Sequence, residues 1–263
     1  MQRFVFLAAT LAVLAMNAAA ILLPLNGIST GELSARYPTG FTPAGWVFSI
    51  WSVIYLGLLA LSVWAAFVPA RHSARLASIR GPYLVSCAGN ACWLVLWHYE
   101  LLLASFVVML VLLASLVVIY ARLRRTSALS WIESLTVDLP FSLYLGWITT
   151  ASIANFATWR FEVGTYPLGL QMDEWALVSV TLAIATYVGV GMLTRDAAYV
   201  GVFAWAALGI AYQTLPTSDA VRVVAAAGSA VALALVGVLL VAQWLELRSH
   251  PARVQLSARG TGR

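Results

Sequence analysis

Three stretches of the chain combine aromatic rings with small or amide side chains at spacings that place them on one helix face. Residues three, four and seven positions apart share a face of an α-helix. Aromatic rings stack on flat molecules, and amides hydrogen-bond the polar edge of such a molecule. We therefore expect three helices to form the walls of one pocket for a flat, mostly apolar ligand. The aligned residues are Phe48, Trp51 and Tyr55, then Asn90, Trp93 and Trp97, then Tyr144, Trp147, Ala151 and Asn155.

Two of these residues are amides within apolar stretches, Asn90 and Asn155. An unpaired amide in hydrocarbon costs several kcal/mol, so each must face the bundle interior and find a partner there. That partner could be a backbone carbonyl, another side chain or a ligand. A hydrogen bond between membrane helices contributes only about 0.6–2 kcal/mol, so stability alone is a modest reason to place amides beside tryptophans. Packing within the bundle is the alternative role for Trp51, Trp93 and Trp147.

The composition excludes a soluble globular protein. Of the 263 residues, 62% are hydrophobic and 10% are charged, whereas soluble domains carry roughly 25% charged residues. The formal net charge of +5 does not indicate nucleic-acid binding, because the basic residues lie in short loops between apolar stretches and in the tail. Cys87 and Cys92 share one apolar stretch and provide neither a disulfide framework nor a zinc motif, so we expect no metal site.

Long apolar stretches predict an all-α membrane protein with about eight transmembrane helices. A spanning helix needs about 20 largely apolar residues. The first stretch could instead be a signal peptide, since Ala18–Ala20 imitates a cleavage site, but it continues far enough to span the bilayer. The predicted spans are Phe4–Leu23, Gly45–Val68, Pro82–Tyr99, Leu101–Arg122, Asp138–Thr158, Glu174–Thr194, Ala198–Leu215 and Val221–Leu245.

Basic residues predict the orientation of these spans. Arginines cluster after the second span (Arg71–Arg80), after the fourth (Arg122–Arg125) and in the tail from Arg248. The alternate loops are acidic or poorer in basic residues. Basic loops face the cytoplasm, and an even number of spans places all three basic segments there together with both termini. We expect a multi-pass protein of a bacterial cytoplasmic membrane.

Three motifs resemble those of the TspO/MBR family, the tryptophan-rich sensory proteins related to the mitochondrial translocator protein. They occur in the order of the family's second, third and fifth helices, and the resemblance covers roughly residues 1–160. In the first motif, which is similar to the family pattern W-x-P-P-x-W-x-F, Ala44 replaces the second proline, and Ser52 replaces a threonine further on. The matching segments are Phe41–Phe48 with Trp51 and Tyr55, Asn90–Trp93, and Tyr144, Trp147, Ala151 and Asn155.

The resemblance implies a five-helix membrane bundle whose pocket binds porphyrins, haem or sterol-like ligands. It implies no obligatory cofactor, and a bound porphyrin or haem is the candidate occupant. The loop Asn26–Phe41 would cover the pocket. His98 is interpreted as an interfacial histidine, with axial ligation of haem as the alternative. The candidate ligand-binding residues are Trp46, Phe48, Trp51, Tyr55, Asn90, Trp93, Trp97, Tyr144, Trp147, Ala151 and Asn155.

The chain divides into a TspO/MBR-like bundle, residues 1–160, and a three-helix transmembrane extension with a basic cytoplasmic tail, residues 161–263. The extension lacks aromatic–amide faces, and small residues such as Gly228 favour close packing of its last helix. We expect it to serve stability or partner binding and to be dispensable for the pocket. Trp205 and Gln213 are its only candidates for a contribution to a site.

Three functions stay open at the level of sequence. The leading one is an integral membrane binding or sensory protein for tetrapyrroles or similar planar hydrophobic ligands. The resemblance also implies light-dependent degradation of porphyrin, with Trp51 and Trp147 as electron donors. The third is a transporter or an accessory subunit of a larger membrane complex, although the spans hold almost no charge beyond Asp138. The expected partners are the hydrophobic ligand, membrane lipid, and a second copy or another membrane protein; nucleic acid is not expected.

Overall fold

The chain folds into a bundle of helices, and its structure, a computed structural model, describes residues 4–23, 25–67 and 73–249. Every regular element in those ranges is a helix. The predicted end of the second span at Val68, the basic pair Arg71–His72 and the tail after residue 249 lie outside the described residues. The α-helices are α1 (Phe4–Leu22), α2 (Thr30–Ala35), α3 (Ile50–Phe67), α4 (Ser73–His98), α5 (Leu102–Arg124), α6 (Trp131–Glu133), α7 (Leu139–Val163), α8 (Met172–Thr194), α9 (Ala197–Ala211) and α10 (Asp219–Ser249).

Each predicted span overlaps one long helix, and the differences lie at the ends. The second span begins with a 3₁₀ turn, Gly45–Ser49, which leads directly into α3. The fifth was predicted to end at Thr158, but α7 continues to Val163. Gly164 ends α7 in the left-handed conformation (φ 73°), and its N–H bonds the carbonyls of the last turn.

The third span was predicted to begin at Pro82, whereas α4 begins at Ser73 and contains this proline in its interior. Proline has no N–H, so the carbonyl four residues earlier, that of Ser78, loses its usual partner within the helix. The guanidinium of Arg122, at the end of α5, donates to this Ser78 carbonyl. The neighbouring helix thus supplies the missing hydrogen bond, and α4 continues through the proline.

Four helices of the described ranges are long and apolar enough to cross a membrane: Gly45–Phe67, Leu102–Arg124, Met172–Thr194 and Asp219–Glu246. Two more apolar helices, Phe4–Ala20 and Ala197–Ala211, are shorter. With 15 residues, α9 rises about 22 Å against a hydrocarbon core of about 30 Å. The long helices α4 and α7 carry the buried side chains of Asn90 and Asn155. The chain is an integral membrane protein, and its count of eight spans stays a prediction.

Helix α7 packs against both parts of the chain, because it contacts α3 and α5 of the first part and α8 and α9 of the extension. Its contact with α9 is close. A β-carbon at Gly146 would lie 2.9 Å from Val202 Cβ and 3.1 Å from the carbonyl oxygen of Tyr199. Gly228, predicted to allow close packing, lies against α8, where a β-carbon would meet Ile184 at 2.8 Å. The last three helices are therefore packed into the same bundle as the first part.

A Gly146→Ala variant should be less stable, because its added methyl group would overlap Val202 and a backbone oxygen that cannot turn away. We expect a loss of about 1–3 kcal/mol, measured as a melting temperature several degrees lower in detergent. Gly237→Ala in α10 is the matched control, since nothing lies within 4 Å of its β-carbon. Equal melting temperatures for the two variants would contradict the close approach of α7 and α9.

Candidate functional site

A small cavity lies among α3, α4, α7 and the segment that precedes α3. We call that segment, residues 28–49, the lid. The cavity has a volume of about 30 Å³, which is room for about one or two water molecules. Its lining residues are Thr30, Ser34, Thr42, Pro43 and Phe48 from the lid, Trp51 from α3, Trp93 and Trp97 from α4, and Trp147, Thr150, Ala151, Ala154, Asn155 and Thr158 from α7.

The indole of Trp51 is the centre of the aromatic wall. It lies 6.1 Å from the Trp93 ring in a stacked arrangement and 6.1 Å from the Trp147 ring in an edge-to-face arrangement. Trp93 stacks in turn on Trp97 at 6.1 Å, and Phe48 of the lid contacts Trp147 edge-on at 5.8 Å. The predicted aromatic faces of three helices therefore meet around one space, and the rings hold each other in place.

Asn155 fixes the polar side of this space. Its side-chain oxygen accepts hydrogen bonds from Trp93 Nε1 (3.1 Å) and from Ser105 Oγ (3.0 Å). Its amide nitrogen donates to the Ala151 carbonyl at 2.9 Å. One amide thus connects α4, α5 and α7, and it orients the Trp93 indole toward α7.

Asn90 does not line the cavity but belongs to a polar layer beside it. Its amide nitrogen donates to the hydroxyl of Tyr144 at 3.1 Å and faces the hydroxyl of Tyr55 at 3.5 Å. Its oxygen accepts from Asn17 of α1 at 2.9 Å. The predicted site residues Asn90, Tyr55 and Tyr144 therefore pair with one another, and all three are absent from the cavity wall.

Trp46, also predicted for the site, faces away from the cavity. Its ring is 41% exposed and meets the Trp205 ring edge-on at 4.6 Å. The 3₁₀ geometry of Gly45–Ser49 explains this direction, because residues there turn at about three per turn instead of continuing the face of α3.

Half of the lining residues were not among the predicted site residues, and they fall into two groups. Thr150, Ala154 and Thr158 share the Trp147–Ala151 face of α7 at helical spacing, so extending that pattern along the helix would have found them. The others come from the lid: Thr30 and Ser34 lie on α2, within the loop Asn26–Phe41 that was expected to cover the pocket, and Thr42 and Pro43 lie in irregular backbone that carries no periodic signal.

The indole N–H of Trp147 is a buried polar group in the wall of the cavity. The side chain is 3% exposed, and its Nε1–H has no acceptor among the described residues. An indole nitrogen is a donor only, and buried donors are nearly always paired. An acceptor that enters the cavity and reaches this edge of Trp147 would satisfy the donor.

The lid is tied to the turn between α4 and α5. Ser29 and Glu32 form a capping box at the start of α2, and the carboxylate of Glu100 receives both the Tyr37 hydroxyl (2.5 Å) and the Arg36 guanidinium (3.2 Å). Burial and this bond to Glu100 raise the pKa of Tyr37 far above its ordinary value, so the hydroxyl stays a donor. Arg36 is thereby engaged with a carboxylate of the protein itself.

His98 ends α4 in this region and is buried beneath the lid. Its side chain is fully buried, with Nδ1 2.7 Å from the Leu94 carbonyl oxygen and Nε2 3.4 Å from Thr30 Oγ1. Nδ1–H is thus engaged with the helix backbone, and Nε2 faces the hydroxyl of the lid residue Thr30. The ring connects the end of α4 to the lid.

The family of this chain follows from comparison with known proteins. A family model described as TSPO-like protein matches residues 3–239. The chain belongs to the TSPO-like family. This match extends well beyond residues 1–160, on which the sequence resemblance rested, and includes α8, α9 and most of α10. The three additional helices are therefore part of what this TSPO-like protein shares with its family model.

A second comparison gives a match over about half of the chain. This TSPO-like protein is 28% identical to Protein CrtK of Rhodobacter capsulatus over 133 residues, which are 49% of this chain and 78% of the relative. No solved structure matches the chain.

Replacing Asn155 should destabilise this TSPO-like protein. The variant Asn155→Ala would leave Trp93 Nε1 and Ser105 Oγ without their acceptor, and a buried polar group left unpaired costs about 1–3 kcal/mol. We expect a melting temperature in detergent lower by several degrees. Thr186→Ala is the control, because that exposed hydroxyl bonds only the Leu182 carbonyl of its own helix. Similar melting temperatures for the two variants would mean that Asn155 does not hold the wall together.

Proposed function

We propose that this protein is a membrane sensor or binding protein whose cavity takes a tetrapyrrole or a similar planar, hydrophobic ligand. Membership of the TSPO-like family supports the broad role of a membrane sensory or binding protein. The main observation in favour of a planar ligand with a polar edge is the unpaired Nε1–H of Trp147, which lies in a wall of packed indole rings. A flat aromatic molecule with a polar edge satisfies that donor and stacks on Trp51.

The proposed ligand requires the cavity to expand. Pockets for molecules of this size are about 300–1,000 Å³, and the cavity is about 30 Å³. The rings of Phe48, Trp51 and Trp147 now fill the centre by contacting each other edge-on. A ligand would replace these contacts with stacking on its own faces, so binding would exchange one set of aromatic contacts for another.

Protoporphyrin or haem should bind the purified protein with a micromolar or lower Kd, which is about −8 kcal/mol or stronger. Trp147→Phe keeps a ring but removes the donor, so affinity should fall about three- to tenfold, the effect of one ordinary hydrogen bond. Absorbance titration of the porphyrin in detergent measures both values. Trp131→Phe is the control, since that tryptophan on α6 is 72% exposed and does not line the cavity.

The double variant Trp51→Ala, Trp147→Ala tests the site more severely. It removes the centre of the aromatic wall, and stacking adds roughly 0.5–1.5 kcal/mol per ring beyond burial. Unchanged porphyrin affinity in this variant would contradict the proposed site. Binding that is lost only in the double variant would retain the stacking role and reject the hydrogen bond from Trp147.

Light-dependent breakdown of the bound porphyrin is the second candidate function. It is favoured by the unbroken series of ring contacts from Trp147 through Trp51 and Trp93 to Trp97, along which an oxidised indole could be reduced by its neighbour. Illumination of the complex distinguishes the two candidates. Loss of porphyrin absorbance that depends on the protein favours the reaction, and a stable spectrum favours binding alone.

The proposed topology has eight spans and both termini in the cytoplasm. Single cysteines at Ala74 and Gly164, in a background where Cys87 and Cys92 are serine, should react with an impermeant thiol reagent from opposite sides of the membrane. Both positions are exposed, at the start of α4 and just after α7. Labelling of both from the same side would reject the eight-span arrangement.

A further inference from the structure

The lid is the wall of the cavity that can move with the least disturbance of the bundle. The other walls belong to α3, α4 and α7, which pack along their lengths against neighbouring helices. The lid contains only the short helix α2 and the turn Gly45–Ser49, so individual hydrogen bonds, such as Tyr37 to Glu100 and Trp205 to Val47, hold it in place, and their loss would free it locally. If the proposed function holds, a planar ligand enters by displacing the lid.

Helix α9 of the extension holds the part of the lid that leads into α3. Three hydrogen bonds connect them, and each has its acceptor or donor on the lid backbone. They run from Ala44 N–H to the Gly209 carbonyl (3.0 Å), from Trp205 Nε1–H to the Val47 carbonyl (3.0 Å), and from Gln213 Nε2–H, just after α9, to the Gly40 carbonyl (3.2 Å).

The sequence is adapted to this contact at two positions. Ala44 occupies the position of the second proline in the motif that residues 41–48 resemble, and a proline there would have no N–H to donate to Gly209. Gly209 permits the close approach, because a β-carbon at that position would lie 2.0 Å from Val47 Cγ2. The residue that departs from the family motif is thus the one that forms the bond to the extension.

Trp205 and Gln213 act on the cavity indirectly. Neither lines it, yet each bonds a backbone carbonyl within four residues of a lining residue, Phe48 or Thr42. Helix α9 in turn packs on α8 and α10, and Ser229 of α10 donates to the Ala204 carbonyl. A shift of the last three helices would therefore be transmitted to the lid through α9.

We propose that α9 is a latch for the lid, and that Ala44, Trp205, Gly209 and Gln213 are the positioning residues that keep the cavity closed. Opening of the cavity requires release of the lid from α9. The extension is then a control element of the site, and removing it would leave the cavity accessible instead of merely exposing a packing surface.

Access of a small thiol reagent to the cavity tests the latch without any porphyrin. The reporter is Ala151→Cys, a buried lining position on α7, in the full-length protein with Cys87 and Cys92 replaced by serine. N-ethylmaleimide, the probe, reaches this thiol only when the lid opens. When opening is fast relative to the reaction, the labelling rate follows the population of the open state.

Two latch variants of the reporter remove one bond each. Trp205→Phe keeps the ring against Trp46 and deletes the donor. Ala44→Pro deletes the N–H, and the φ of Ala44, −56°, suits proline. Each variant should label about three- to tenfold faster than the reporter alone. Trp244→Phe, a half-exposed indole on α10, is the matched control and should label at the reporter's own rate.

Equal labelling rates for Trp205→Phe, Ala44→Pro and Trp244→Phe would overturn the latch. Faster labelling in all three would also overturn it, since the effect would then be a general loss of stability. The melting temperature of each variant separates local opening from global unfolding. Porphyrin titration of the wild-type protein tests the proposed ligand separately. Faster labelling of the latch variants without porphyrin binding would retain the latch and reject the proposed ligand. Porphyrin binding with unchanged labelling rates would reject the latch alone.

Discussion

Hydrocarbon offers no water, so a buried polar group of a membrane bundle is stable when it finds a partner in the protein or in a ligand. Asn155 satisfies this constraint by receiving hydrogen bonds from α4 and α5 while it belongs to α7. The positions of the Trp93 indole and of the cavity wall depend on that arrangement. Asn90 satisfies the same constraint in a second layer with Tyr144 and Asn17, which places α1 against the centre of the bundle. The hydrogen bonds that hold the helices together therefore also determine the shape of the pocket.

Helical periodicity predicted the parts of the site that lie on long helices. Trp51, Trp93, Trp147 and Asn155 meet at one cavity because each projects from a regular helix, whose geometry follows from spacing alone. Asn90 shares a face with Trp93 in the sequence, but a layer of tyrosine hydroxyls pairs with it, and spacing does not reveal partners on other helices. Thr42 and Pro43 of the lid were missed for a different reason, since irregular backbone has no period, whereas Thr30 and Ser34 belong to the loop that was expected to cover the pocket.

Helix ends were predicted less well than helix faces, and long-range contacts explain the difference. Pro82 is a strong local signal for a helix start, and a single guanidinium from α5 overrides it. The same Arg122 was read only as an orientation signal, although it also completes the hydrogen bonding of α4. His98 lies at the end of α4, as its sequence position indicated, but that position did not reveal that the lid covers the ring.

Gly209 lies so close to Val47 that a side chain at position 209 would overlap it. A change at position 209 therefore requires a change at position 47 or in the lid. A homologue that gains a side chain at position 209 must shorten the residue at position 47 or shift the whole lid, and a homologue with proline at position 44 must do without the bond to α9. Residues 44, 47 and 209 are far apart in the chain, but substitutions at these positions should therefore be correlated among related proteins.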